Sequence, residues 1–282
     1  MTTNQSPVAV EATVAEAIWR DAVGAFAGLV ADCFPRRETR SALRVLTEAV
    51  LMGLERIDCW TLAEVLGHPG PHRLQHFLSR AVWDHEAVRT RLAAFAVDQL
   101  ADGQAVLVVD ETGDAKSSTD AVGAAQQYSG ALGGIGLCQV AVHLTYAAAA
   151  GNALIDRTLY FTRDWAADEE RRLLTGVPDE VFFATKPQLA AVMLERAHIQ
   201  GFPARWVAAD EVYGGRDLRM RIRELGYDYA VAVLGVIRTS QRIERSLQKR
   251  QPGTGQVPNQ EATGNPNPPQ HKPGPSTGND RD

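Results

Sequence analysis

Two short apolar runs each deliver an aspartate to a glycine-containing segment, and this repeat constrains the fold more than any other feature of the chain. The first is Ala105–Asp110, followed by Glu111, Thr112 and Gly113; the second is Arg205–Asp210, followed by Glu211, Val212, Tyr213 and Gly214. An apolar run of about five residues that ends in a carboxylate and a glycine reads as a buried strand feeding a functional loop. Gly113 and Gly214 most simply permit the turns. Carboxylates at the ends of neighbouring parallel strands can share divalent metal ions, which makes Asp110 and Asp210 the candidate catalytic and metal-ligating pair. A single aspartate at a strand end is more often a turn former or helix cap. It is the matched pair of contexts that favours the metal reading. Glu111 and Glu211 would be aimed away from their neighbours by strand alternation, so support or surface roles are assigned to them.

Ahead of the first run the pattern is helical. Residues 1–12 read as a disordered leader, and 13–102 as a helical region in which Ala, Leu, Val and Phe recur at three- and four-residue spacing. Ile18, Val23, Phe26 and Val30 form one stripe, closed by Pro35. A second helix spans Glu38–Leu54, with Leu43, Leu46, Val50 and Leu54 on one face. Thr61 and Glu64 read as a capping box opening a short helix that stops at Gly67. His68–Pro71 is a turn, and His72–Arg80 a further helix. Helix, tight turn and helix with Arg73, Gln75, His76 and Arg80 suggest a helix-turn-helix reader of DNA. Ordinary packing in a small helical bundle gives the same pattern, and both readings stay open. His68, His72, His76 and His85 lack the carboxylate or cysteine spacing of a metal site and are read as surface residues.

From Gln104 the rhythm changes to strands. Val106–Val109, Leu137–Tyr146 and Ala153–Phe161 are three strands, the last two joined as a hairpin across a small-residue turn, and Gly123–Gly136 is a loop or edge hairpin. Lys186–Gln200 is a helix with Leu189, Val192, Met193 and Ala197 inward; Trp206–Ala209 is a strand, Arg216–Leu225 a helix and Tyr229–Leu234 a strand. The order β-β-β-α-β-α-β predicts an α/β protein with a mixed sheet. Residues 103–250 form this core, and 251–282 a disordered tail holding seven of the 14 prolines and no aromatic residue.

Composition narrows the partners. With 282 residues and 45% hydrophobic content the chain can build a substantial core, and no apolar run reaches membrane-spanning length. Three cysteines without metal-type spacing suit a reducing cytoplasm. The net charge of −5 disfavours a polyanion partner, yet residues 216–250 carry nine Lys/Arg against four acids. Polyanion binding follows the local patch rather than the total.

Several segments together resemble the insertion-sequence transposases of the DDE superfamily, in the bacterial group whose first motif is Asp-Xaa-Thr-Gly. They are Asp110–Gly113; Gln127–Gly130 leading to Cys138–Val140; Trp165 with Asp168, Arg171 and Arg172; Val177-Pro178; Thr185-Lys186; and Ala209–Gly214. The resemblance spans residues 36–235. It implies a ribonuclease H-like core behind a DNA-binding helical part, and Mg²⁺ (or Mn²⁺) held by Asp110 and Asp210. It also implies DNA, both element ends and target, as partner, with a homodimer among the assemblies it allows. Lys116 and Lys186 become candidate phosphate contacts beside Arg73 and Arg80. Two departures are visible: of the family's frequent Lys-Lys-Gly only Lys116 remains, and the third acid, which normally follows on a later helix, has no counterpart in matching context. Glu244 is the one acid on a plausible helix there. The expectation is therefore a transposase core truncated before its third acid and impaired in strand transfer. A non-catalytic DNA-binding remnant and another metal-dependent phosphohydrolase are the alternatives.

Overall fold

The computed structural model describes residues 7–233 and 236–239, with side chains from 18 to 232. At the centre lies a sheet built on β1 (Val106–Ala115), which pairs antiparallel with β3 (Gly134–Ala148) on one side and parallel with β5 (Trp206–Ala209) on the other. β4 (Gly151–Tyr160) adds antiparallel to β3, and β6 (Asp228–Val233) adds parallel to β5. A five-strand order β4-β3-β1-β5-β6 with this mixture of directions is the ribonuclease H-like topology. The short β2 (Ala125–Ser129) forms a hairpin with the start of β3, and β7 (Val236–Thr239) extends the other edge antiparallel to β6. The tail 251–282, Glu244 and the basic residues beyond Arg223 lie outside the described side chains.

One face of this sheet carries the core. Leu107 and Val109 of β1, Val142, Leu144 and Tyr146 of β3, Val207 of β5, and Tyr229 and Val231 of β6 alternate onto that face and are buried. Three helices cover it: α5 (His85–Leu100) through Ala93 and Val97, α8 (Lys186–Ile199) through Ala190, Met193, Leu194 and Ala197, and α9 (Arg216–Glu224) through Leu218 and Ile222. The period of two in the strands and of about 3.6 in the helices is what lets both present continuous apolar faces. Val192, expected inward, is 49% exposed, because Met193 and Ala197 define the buried face of α8 and Val192 falls beside it.

The N-terminal helices are α1 (Pro7–Leu29), α2 (Arg37–Val50), α3 (Cys59–Val65) and α4 (His72–Arg80). Helix α1 begins at Pro7, inside the expected leader; proline suits a first helical turn, where its missing N–H has no helical partner to lose. Helix α2 stops at Val50 rather than Leu54, and the chain turns through Gly53 at φ +70°, a left-handed conformation that glycine adopts without steric cost. The cap of α3 is Asp58, not Thr61: its carboxylate accepts from the backbone N–H groups of Trp60 and Thr61 at 2.9 Å. Helices α6 (Arg163–Ala167) and α7 (Glu169–Thr175) follow β4 and have no counterpart in the sequence-based expectation.

Helix α5 serves two cores. Ala87, Val88 and Leu92 pack with Val30, Phe34, Ala42 and Phe77 of the N-terminal helices, whereas Ala93 and Val97 belong to the sheet core. An ionic network fastens it. Asp156 of β4, 5% exposed, pairs with Arg89 of α5 and with Arg196 of α8 at 2.8 Å.

β1 runs well past the expected turn. Gly113 is a strand residue opposite Val140, and the need for glycine is steric: a β-carbon there would lie 2.3 Å from Ser129 Oγ and 2.6 Å from its Cβ. Gly113→Ala should therefore destabilise the fold by about 1–3 kcal/mol through overpacking. Adding Ser129→Gly should recover part of the loss, because the next contact is the Ser129 Cα at 3.6 Å. Urea unfolding of the single and double variants reads this directly, and an unperturbed Gly113→Ala midpoint would refute it.

Candidate active site

The parallel ladder between β1 and β5 pairs Val106 with Trp206 through to Val109 with Ala209, and then stops. The next residue on each segment is Asp110 or Asp210, so the parallel ladder ends at the two aspartates. β1 continues alone with β3, whereas the β5 segment turns into a single 3-10 turn, Glu211–Tyr213. Asp210 caps that turn by accepting from the backbone N–H of Val212 at 2.9 Å. Asp110 accepts from the backbone N–H of Glu111 at 2.8 Å. Each aspartate thus uses one oxygen locally. Both side chains are exposed, and neither is in an ion pair with a described residue. Among the described residues no group of three or more His, Cys, Asp or Glu forms a metal cluster.

The field at this end of the sheet is negative. Partial burial raises the carboxyl of Asp210 above its ordinary value, the Val212 N–H opposes this, and the charges of Glu111, Asp110 and Glu211 push it further up. Glu111 alternates to the helical face of β1, away from Asp110, and is fully engaged: Lys186 Nζ at the first turn of α8 donates to one oxygen at 2.5 Å, and the buried Tyr213 hydroxyl donates to the other at 2.5 Å. Burial, followed by the bond to Glu111, raises Tyr213 far above the tyrosine range, so it remains a donor. His143 lies directly opposite Asp110 on β3, and its Nε2 is 2.7 Å from Thr112 Oγ1. Burial lowers its pKa, with Asp110 acting the other way.

The remaining residues nominated by the sequence fall elsewhere. Lys116 is ion-paired with Asp114, and Lys186 with Glu111. Arg73 and Arg80 sit exposed on α4 and line a groove of about 500 Å³ between that helix and the start of α2. His76, read from the sequence on the same helix as the two arginines, lines the groove with them, and sequence reading misses one group there, Arg36 at the α2 N-cap. The spacing 73, 76, 80 marks His76 as sharing a helical face with the two arginines; Arg36 arrives through the tertiary fold and leaves no local signal. Glu38 is the acid lining the same groove.

The raised Asp210 sets a pH dependence. An acid whose folded pKa lies above its unfolded value stabilises the fold fully below the unfolded value, and that contribution is lost as pH rises through the folded value. Asp210→Asn, lacking the charge, should melt higher than the parent at neutral pH. The difference should vanish as pH falls towards the ordinary carboxyl value of 3.8. Equal melting temperatures at pH 7 would refute it.

The comparisons with known proteins agree with this geometry. The chain matches the family model of the DDE superfamily endonucleases over residues 29–277, a span that takes in most of the compositionally distinct tail. It is 28% identical over 204 residues to a probable transposase for insertion sequence element IS701 from Microchaete diplosiphon, covering 71% of this chain and 50% of that protein. The chain therefore spans about half the length of the curated relative it matches. A Drosophila P element transposase strand transfer complex aligns over 74% of this chain and 49% of its own, at 13% identity and a TM-score of 0.24. With the family match running over most of its length, and two aspartates at the end of the β1–β5 ladder of a ribonuclease H-like sheet, the chain belongs to the DDE superfamily endonucleases.

Proposed function

We propose that this chain is a transposase-type DNA endonuclease that cleaves and transfers strands at insertion-sequence ends, with Asp110 and Asp210 as its metal-holding catalytic acids. The observation that carries the reading is the ladder ending on both aspartates, each with an oxygen not taken by protein. DDE superfamily endonucleases generally use divalent metal ions. The donor set fits one: carboxylate oxygens suit hard divalent cations such as Mg²⁺ or Mn²⁺, and such an ion would relieve the neighbouring negative charge that adds to partial burial in raising Asp210. When bound, the ion would stabilise the charge that develops as a phosphodiester is displaced in line, and would make a coordinated water more acidic.

The chain's own groups have simpler tasks. Asp110 and Asp210 hold the cation and set where the scissile phosphate lies. Arg73 and Arg80, joined by Arg36 and His76, bind the DNA backbone in the α2–α4 groove. Arg36, Arg73 and Arg80 are not in ion pairs with described residues, so their charges are available to phosphate. Lys116 would reach phosphate by exchanging its Asp114 partner, whereas Lys186, the other lysine nominated for phosphate, is held on Glu111. In this reading residues 13–102 bind DNA, residues 103–250 form the catalytic core, and any homodimer would bring two element ends together.

Among the described residues two acids meet at the ladder's end; with those two alone, slow nicking is expected rather than efficient transfer, with a rate deficit on the order of 10³-fold against a three-acid site. The assay incubates the protein with element-end DNA and Mg²⁺ or Mn²⁺ beside Asp110→Ala. Slow nicking that the substitution abolishes supports the proposal. Efficient transfer abolished by Asp110→Ala would overturn the impairment and send the search for a third acid to Glu244. Absent cleavage and metal binding with DNA binding intact would favour a non-catalytic DNA-binding protein, for which the basic groove is the supporting observation.

DNA binding gives a separate check. Replacing Arg73 or Arg80 with alanine should weaken binding across sequences and lower the salt slope of log K by about 0.9 for each phosphate no longer neutralised. Unchanged slopes would return α3 and α4 to plain helical packing.

A further inference from the structure

Glu111 follows Asp110, yet its carboxylate faces the helical layer and has no oxygen to spare. Its side chain is 18% exposed and receives Lys186 on one oxygen and Tyr213 on the other. The two donors come from different parts of the chain. Lys186 opens α8, whose start is fixed by a reciprocal capping box between Thr185 and Gln188; its ammonium also lies 5.6 Å from the centroid of the Tyr160 ring at the end of β4. Tyr213, wholly buried, closes the 3-10 turn that Asp210 caps. The backbone ladder between the strands has already ended at Val109 and Ala209. Beyond that point the Tyr213–Glu111 bond ties the Asp110 strand to the Asp210 turn by side chains. A third carboxylate this close to two others would repel them, and the Lys186 charge offsets it.

We propose that Glu111, Lys186 and Tyr213 form a positioning clamp that holds Asp110 and Asp210 at the spacing a divalent cation requires. The proposal rests on the reading of those aspartates as cation ligands. A partly buried ion pair is weak ground for stability by itself, because desolvation offsets most of the attraction. Its location is the informative part: each member is anchored to an element that carries or flanks an acid. Groups that orient metal ligands without touching the metal typically change affinity by about 10–100-fold when removed.

The test is Mn²⁺ binding by the full chain, followed by calorimetry and by the electron paramagnetic resonance of free Mn²⁺, with melting curves recorded alongside. Tyr213→Phe keeps the buried ring and removes only the donor, so it guards against loss of folding. Tyr213→Phe and Lys186→Met should each weaken Mn²⁺ binding by about tenfold. Lys186→Arg, which restores a charged donor, should recover most of that loss. If Tyr213→Phe and Lys186→Met lower the melting temperature but bind Mn²⁺ as the parent does, the clamp is structural only and the proposal fails. If the parent binds no Mn²⁺, or Asp110→Ala binds it equally well, the site reading itself fails, an outcome distinct from failure of the clamp.

Discussion

The four-residue parallel ladder between β1 and β5 is the constraint on which the rest of the molecule depends. Parallel strands need a crossover between them, and here nearly one hundred residues separate Val106 from Trp206, filled by β2 to β4 and α6 to α8. Because the ladder is short, its register decides where both aspartates lie. A slip of one residue would move Leu107 and Val109 off the buried face and turn the carboxylates into it. Burial of those side chains against α5, α8 and α9 therefore fixes the same register that places Asp110 beside Asp210.

The helical part is coupled to the sheet by the same economy of elements. Asp156 is buried, and burying a lone carboxylate would be costly; Arg89 and Arg196 supply the compensating charges. Since Arg89 belongs to α5 and Arg196 to α8, one carboxylate on β4 orients both helices against the sheet. Removing both arginines would leave the carboxylate uncompensated in the interior, the situation in which buried pairs cost about 3–5 kcal/mol when broken. Helix α5 then carries that fixed orientation into the N-terminal core through Ala87, Val88 and Leu92.

The chain's sequence makes the strands and the acid pair legible because those signals are local: an apolar run, a carboxylate, a change of period. β3, β4, β5, α8, α9 and β6 lie close to where their patterns put them. The misreadings share a cause. Gly113 reads as a turn residue, but the close approach of Ser129, sixteen positions on, is what requires glycine. Thr61 has the spacing of a capping box, yet Asp58, three residues earlier, accepts from the N–H groups of Trp60 and Thr61 and opens the helix at Cys59. Alternation correctly directs Glu111 away from Asp110, but its partners stand 75 and 102 positions further along. Arg36 joins Arg73 and Arg80 only once α2 packs beside α4. Contacts of that kind are products of the fold and have no period to be read.

Charge is distributed by the same logic. Where charges satisfy one another, as in Asp156 with its arginines, Arg221 with Glu195 and Glu224, or Glu111 with Lys186, they join elements of the fold. Where they are left to solvent they gather by sign: arginines around the α2–α4 groove, carboxylates at the end of the β1–β5 ladder. Keeping like charges together costs stability: after partial burial, the neighbouring carboxylates add to the rise of Asp210. Such an arrangement becomes favourable when an outside partner supplies the opposite sign, anionic at the groove and cationic at the acids. A nucleic-acid backbone accompanied by a divalent ion meets both demands at once.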